Sequence, residues 1–285
     1  MISLIQFMHN GQEHKPDNFI EKKWNKGDHG RKFLKTSGIY IDEKKKETRG
    51  EIAFWGEWEP ESRVVRRIEK PVENGPHYVY EPYFIRPTSY KGLQNTDPFV
   101  FGDAFRYSFC LQPRYSSLRN LEKGSVILFG SRIQHKFVLD TVFVVSDSIS
   151  YSRQNYRGVM EETKEIYKIV TLNPILDWIG SSCRRACSQK ANSVTYKLYT
   201  GANFNSRIHG MFSFFPCQIY TQNSIGFARP TIQISAISDN MSRGIKKTEF
   251  ADPNTIKNCW NEVVAQVGEK CFLGIFAELP RSMSS

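Results

Sequence analysis

Two short segments of the chain carry acidic, basic and aromatic side chains at spacings that suit a single ligand. The first, residues 27–34, reads Gly-Asp-His-Gly-Arg-Lys-Phe-Leu. A turn between glycines exposes backbone N–H groups, and the cations of Arg31 and Lys32 would then lie near a bound phosphate. His29 is the imidazole inside the same turn. The segment therefore predicts a ligand-binding loop, although a surface turn rich in glycine and charge has the same composition.

The second segment, residues 54–61, places two tryptophans among glutamates. In an extended strand Trp55, Glu57 and Glu59 share one face, and Trp58 lies on the other. An exposed indole stacks on a nucleobase with about 1–3 kcal/mol per base. A carboxylate beside it, above all Glu57, would read a base edge or act as a general base. The alternative is a pair of core tryptophans with an acidic edge.

Two further residues are candidates for acid–base chemistry. Asp140 lies inside the apolar run 136–145, where a carboxylate is costly to bury unless it is paired. Such an aspartate usually holds a neighbouring loop by hydrogen bonds, and it becomes a catalytic candidate only if it faces a cleft. His209 follows the glycine-containing stretch 199–205, and it would act as a general base or lie in solvent as a loop histidine.

The positive charge of the chain is unevenly distributed. The net charge is +10, and residues 101–250 carry 19 basic against 10 acidic side chains, whereas residues 51–100 carry 6 against 8. A basic region suits a polyanionic partner, because each neutralised phosphate releases a counterion. Arg106, Arg114 and Arg119 lie in this region and are expected to contact phosphates, although Arg106 also has a structural partner in Asp103. Many basic proteins bind no nucleic acid, so charge alone leaves the partner open.

Composition excludes several broad classes of protein. The chain has 285 residues, of which 40% are hydrophobic and 24% charged, so it can bury one large or two ordinary cores and is not disordered throughout. No run approaches the roughly 18 apolar residues of a membrane helix. The first nine residues are too short and lack the basic flank of a signal peptide. These features predict a cytoplasmic protein without a membrane partner, and they leave the oligomeric state open.

Cysteine and histidine spacing argues against a metal centre. No pair of the six cysteines has the two-residue spacing of a zinc knuckle or a redox motif, and the six histidines do not cluster with them in sequence. We therefore expect no metal, no cofactor and no disulfide framework. Cys183 and Cys187 are four residues apart and would share one face of a helix.

The elements that must position these residues predict one compact α+β unit, 1–285, with more sheet than helix. Residues 125–129 and 136–145 predict an antiparallel hairpin, joined near residues 130–134 and covered on both faces. Residues 161–170 predict a helix that Pro174 terminates. A second helix is predicted from the cap Asp252 to a stop before Gly268. Residues 271–276 predict a buried final strand.

Part of the chain, residues 97–145, carries a pattern found in a known fold. The residues concerned are Asp97-Pro98-Phe99, the Cys110 segment, Leu118, Leu121, and Lys123-Gly124-Ser125-Val126-Ile127-Leu128-Phe129 with the strand to Val145. They resemble the PUA-like fold, above all the bacterial nucleotide-modification-associated domains and, more distantly, EVE and ASCH domains. In those domains a Lys-Gly-Asp turn opens a strand of a small β-barrel with a pocket for a base; here Ser125 replaces the aspartate.

The resemblance implies a PUA-like core near residues 85–200 and a role near modified bases, in DNA modification or phage defence. It carries no catalytic residues. Our leading hypothesis is therefore a protein that binds a nucleic acid or nucleotide through a modified or exposed base. The alternative is an enzyme acting on a nucleotide or its glycosidic bond, such as a glycosylase, nuclease or ADP-ribosyl transferase. Its catalytic candidates are Glu57, Glu59, Asp140 and His209, with His29 as a second proton carrier. A protein–protein interaction module is the third possibility.

Overall fold

The computed structural model describes residues 1–16, 21–26, 29–159, 163–177 and 194–283, which form an α+β protein made mostly of sheet, as the sequence predicts. The strands are β1 Ile2–Met8, β2 Glu21–Lys22, β3 Lys32–Ile41, β4 Glu47–Gly56, β5 Ser62–Arg67, β6 Tyr78–Phe84, β7 Arg106–Tyr107, β8 Val126–Ile133, β9 Lys136–Tyr151, β10 Tyr196–Gly201, β11 Phe215–Ile219, β12 Gly244–Phe250, β13 Phe272–Ala277 and β14 Arg281–Ser282. The helices are α1 Tyr156–Val159, α2 Glu165–Tyr167, α3 Asn173–Leu176 and α4 Pro253–Gly268.

The strands form two sheets. The first has the order β12-β1-β8-β9-β10-β7, and its β1 runs parallel to β8 while its other pairs are antiparallel. The second has the order β13-β11-β4-β3-β6-β5-β2, with β13 also paired to β3 and β14 paired to β6. An aromatic contact joins the two sheets: Phe215 of β11 stacks on Phe105, the residue before β7, with ring centroids 5.8 Å apart. The site described below lies where β1 and β9 of the first sheet meet β3 and β4 of the second.

The predicted hairpin is confirmed, but its connection lies further along the chain. Strands β8 and β9 pair antiparallel, and the turn consists of Gln134 and His135, both with positive φ. Such a two-residue turn matches the right-handed twist of the flanking strands. Gly130 lies within β8 rather than in the turn, and only glycine fits at this position because a Cβ would overlap the Val138 carbonyl oxygen. Residues 126–130 and 137–145 are buried, so the sheet is covered on both faces as expected.

The helices follow their sequence signals in part. Helix α4 begins after Asp252 as predicted, and the Asp252 side chain accepts a hydrogen bond from the Asn254 N–H; the helix ends at Gly268, one residue beyond the predicted stop. The predicted termination at Pro174 is wrong. After α2, a π-helical turn over Lys168–Leu172 leads directly into α3. Pro174 lies in the first turn of α3, where its missing backbone N–H costs no intrahelical hydrogen bond.

Two further sequence predictions concern other parts of the chain. The helix face shared by Cys183 and Cys187 lies outside the described residues. Among the helices in the described ranges, none is long and apolar enough to cross a membrane.

A buried charged cluster as the candidate functional site

The pairing of β3 with β4 brings the two chemically rich segments together. Lys32 pairs with Gly56 at the ends of these antiparallel strands. Continuing the same register past the strand ends places Arg31 opposite Glu57 and His29 opposite Glu59. The contacts agree, because Arg31 Nη1 lies 3.0 Å from Glu57 Oε2, and His29 Nδ1 lies 3.0 Å from Glu59 Oε1. Both glutamates are buried.

Asp140 joins this cluster because of a β-bulge in β9. Phe129 pairs with Thr141 and Gly130 with Leu139, so Asp140 is the extra residue between two ladder positions. A bulge turns the side chain of its extra residue away from the regular alternation. The Asp140 carboxylate accepts a hydrogen bond of 2.9 Å from Arg31 Nε. The observed partners of Asp140 are therefore buried arginines.

A second buried arginine completes the ion pairs on Asp140. Arg229 Nη1 lies 3.3 Å from Asp140 Oδ1, and Arg229 Nη2 donates to the Gly11 carbonyl oxygen. Its guanidinium also lies over the Trp55 ring, 4.9 Å from the centroid. Burying two guanidinium groups is tolerable here because Asp140 accepts from both.

His9 approaches Glu57 from the end of β1. Its Nδ1 lies 3.3 Å from Glu57 Oε2 without hydrogen-bond geometry, and its Nε2 lies 3.5 Å from Cys110 Sγ. Burial lowers the pKa of His9 well below its usual value, and the charge of Arg31 acts in the same direction. The imidazole is therefore neutral at pH 7, and its Nδ1, which faces Glu57, has no hydrogen-bond partner among the described residues.

Glu59 holds the side of the cluster that reaches solvent. Asn25 Nδ2 donates a hydrogen bond of 2.6 Å to Glu59 Oε2. His29, whose side chain is 38% exposed, contacts Glu59 Oε1. Burial raises the pKa of Glu59, but the hydrogen bond and charge of His29 more than offset this, so the pKa falls below its usual value. Burial likewise lowers the pKa of His29, and Glu59 raises it above the usual value. The two form an ion pair with an edge open to solvent.

The neighbouring Glu57 behaves in the opposite way. Burial raises the pKa of its carboxyl, and the charge of Arg31 offsets this only in part. Two carboxyl groups two residues apart thus have pKa values displaced in opposite directions, an arrangement typical of acid–base sites.

Lys32 is buried beneath the cluster. Its Nζ donates to the Pro60 carbonyl oxygen over 2.9 Å, and the side chain is fully buried. Burial lowers the pKa of Lys32 to about 7, against a partial opposing effect of the Glu59 charge. The expectation that Lys32 contacts a phosphate from an exposed loop is wrong, because its amine faces the interior. The same holds for Arg31, which is 1% exposed and already bound to two carboxylates.

The predicted stacking faces of the tryptophans are wrong as well. Trp55 and Trp58 are 3% and 0% exposed. Trp55 Nε1 donates to the Phe227 carbonyl oxygen, and Trp58 Nε1 donates to the Glu61 carbonyl oxygen. Their rings are core side chains with satisfied N–H groups, which is the alternative that the sequence analysis also considers.

The remaining candidate residues lie outside the cluster. Arg106 is paired with Asp103 at 3.8 Å and its side chain is only 12% exposed, so its structural pairing is the one observed. Arg119 donates to the Gln112 carbonyl oxygen over 2.6 Å. Arg114 and His209 are exposed, His209 in a turn between Ile208 and Met211. No ion pair within the described residues connects these four side chains to the cluster.

Three members of the cluster were missed by the sequence analysis: His9, Asn25 and Arg229. His9 directly follows a buried strand, a position that often delivers a side chain to a site, and this signal was available. Asn25 and Arg229 lie in irregular segments, where no periodicity marks them as buried.

A cleft of about 570 Å³ borders the cluster. Gly30, Trp55 and Arg229 belong to its wall, together with His14 and Lys15. Its volume is in the range of small-molecule sites, about 300–1,000 Å³. The buried atoms His14 Nε2 and Arg229 Nε have no hydrogen-bond partner among the described residues. A larger cleft of about 620 Å³, lined by residues 41–43 and 268–273 among others, includes none of the cluster residues, so we assign the candidate site to the smaller one.

One group within the cluster has the chemistry of metal ligands. His29, Glu57 and Glu59 each offer one ligand atom, and these atoms lie within 4.8 Å of one another. Comparison with known proteins adds no assignment, since no family model, no curated protein and no solved structure matches this chain.

Proposed function

We propose that the protein binds a nucleotide, or an exposed base of a nucleic acid, in the cleft beside the charged cluster. The observation that carries this proposal is the position of Arg229, a buried arginine that is ion-paired to Asp140 of the cluster, in the wall of a nucleotide-sized cleft. Burying several ionised groups is costly unless they are paired, and such groups are typical of sites that recognise polar ligands.

The cleft supplies groups suited to both parts of a nucleotide. Lys15 is exposed at the cleft and suits a phosphate, while the imidazole of His14 suits a base edge or its face. The unpartnered atoms His14 Nε2 and Arg229 Nε would gain partners from a polar ligand or its water. This proposal dispenses with the indole stacking expected from the sequence. The PUA-like resemblance and a role in DNA modification or phage defence remain part of the proposal.

A fluorescence titration with nucleotides and with single- and double-stranded oligonucleotides tests the proposal over a salt series. For an oligonucleotide, we expect the association constant to fall as salt rises, and Lys15→Ala to reduce the salt slope by about one. Lys44→Met, which changes an exposed lysine in the β3–β4 turn, is the matched control and keeps the wild-type slope. Absence of binding to every probe at low salt, or oligonucleotide binding that is independent of salt, would refute the proposal.

A second candidate function is hydrolysis at a glycosidic or phosphate bond of the bound nucleotide. The observation that favours it is the grouping of Glu57 and Glu59 beside the half-exposed His29. A pH–rate profile and chromatographic detection of the released base or of the cleaved phosphate product would test it. We expect Glu59→Gln to abolish turnover while binding persists; equal turnover in wild type and variant would exclude this role for Glu59.

A further inference from the structure

We propose that His29, Glu57 and Glu59 form a binding site for a divalent transition-metal ion of the Mn²⁺ or Zn²⁺ type. One ligand atom from each side chain lies within 4.8 Å of the other two. The His29 Nδ1 and Glu59 Oε1 atoms are 3.0 Å apart. Two ligands bound to one ion at about 2.1 Å are separated by about 3.0–3.4 Å for octahedral to tetrahedral angles. The pair therefore has ligand spacing already, and a rotation of Glu57 brings in the third atom.

The carboxylates of the cluster outnumber its guanidinium groups. Among the described residues, Glu57, Glu59 and Asp140 face the two guanidinium groups of Arg31 and Arg229, and the buried amine of Lys32 also acts on Glu59. Asp140 is ion-paired with both arginines, and Glu57 is ion-paired with Arg31 alone of the two. Glu59 is the carboxylate whose partner is an imidazole, and a metal ion would replace the proton between His29 Nδ1 and Glu59 Oε1.

An independent observation points to the same place. Only 9% of the His9 side chain is exposed, and its Nδ1, 3.3 Å from Glu57 Oε2, has no hydrogen-bond partner in the part of the chain that the structure describes. Carboxylates that coordinate a metal are themselves held by hydrogen bonds from outer donors, and a neutral imidazole N–H is such a donor. When the Glu57 carboxylate turns toward the ion, the Nδ1–H of His9 would donate a hydrogen bond to that carboxylate.

The donor set selects the kind of ion. A site with one imidazole nitrogen and two carboxylate oxygens suits Mn²⁺, Fe²⁺ or Zn²⁺, whereas Ca²⁺ and Mg²⁺ prefer oxygen ligands alone. The exposed edge of His29 gives the ion a path from solvent. This inference contradicts the expectation of no metal drawn from cysteine and histidine spacing. That spacing did not reveal the site because His29 and the two glutamates are about 30 residues apart.

Electron paramagnetic resonance of Mn²⁺ added to chelator-stripped, full-length protein tests the proposal directly. Mn²⁺ is chosen because it avoids the thiols of the chain. We expect one saturable site, at least a tenfold loss of affinity in His29→Ala and in Glu59→Gln, and displacement of Mn²⁺ by Zn²⁺. Circular dichroism verifies that each variant is folded.

The matched control is His77→Ala. His77 Nδ1 lies 2.8 Å from Glu13 Oε2, so it forms a similar exposed histidine–glutamate pair, but the pair belongs to no such three-residue group within the described chain. We expect wild-type Mn²⁺ affinity in this variant. Absence of saturable binding, or equal affinity in wild type and the two site variants, would overturn the proposal. No nucleotide is present in this experiment, so its failure and the failure of the proposed function are distinguishable.

Discussion

The buried Lys32 makes the stability of the protein depend on pH in a defined direction. Burial lowers its pKa from 10.5 to about 7 in the folded state, whereas the unfolded chain keeps the ordinary value. Between these two values the unfolded state binds more protons than the folded state. Stability therefore rises as the pH increases from about 7 toward 10.5, and the cost of the buried ammonium is fully present below 7.

The magnitude follows from the two pKa values. Integrating the difference in bound protons from pH 7 to pH 9 gives a gain of about 2 kcal/mol in the free energy of unfolding from Lys32 alone. Lys32→Met keeps the length of the side chain and removes the titrating group, so the variant should lose this part of the pH dependence. Loss of the hydrogen bond to the Pro60 carbonyl oxygen lowers its stability by about 1 kcal/mol at each pH without affecting the slope.

Urea unfolding at pH 7, 8 and 9 measures the effect, with chelator present throughout so that metal binding does not contribute. Lys44→Met serves as the control, because it removes an exposed lysine and should keep the wild-type pH dependence. If wild type and Lys32→Met gain the same stability between pH 7 and 9, the inference that the fold destabilises the charged amine is refuted.

Three further predictions concern the same region. Asp140→Ala should lower the free energy of unfolding by about 3–5 kcal/mol in urea melts, because it leaves two buried guanidinium groups without their shared carboxylate; a loss below 1 kcal/mol would contradict the buried ion pairs. Trp58→Phe should cost about 1–3 kcal/mol from lost packing and from the lost indole hydrogen bonds to the Glu61 and Tyr83 carbonyl oxygens, yet leave the affinity in the nucleotide fluorescence titration unchanged; a large loss of affinity would restore the stacking role. Gly130→Ala should lower the melting temperature in calorimetry, since its Cβ would overlap backbone in the β8–β9 ladder, and an unchanged melting temperature would contradict that packing.

Local sequence signals predicted the secondary structure correctly where one hairpin or one helical turn determines it. The apolar runs of β8 and β9 predicted a covered hairpin, and Asp252 with Pro253 predicted the start of α4, because each signal acts within one strand pair or one helical turn. The same reasoning was wrong at Pro174, where a π-helical turn before it lets the helical path continue.

For the candidate site, the sequence identified individual residues, and the tertiary structure determined how they are arranged. The sequence by itself identified His29, Arg31, Glu57, Glu59 and Asp140 as unusual, because charge beside glycine, tryptophan or an apolar strand is conspicuous at short range. Only the tertiary structure decided that they form one cluster, through the register of β3 with β4 and the bulge that turns Asp140 toward Arg31. It also decided that both indoles are buried, because the covering surface comes from segments distant in sequence, and no local pattern records which of two faces a neighbouring layer will cover.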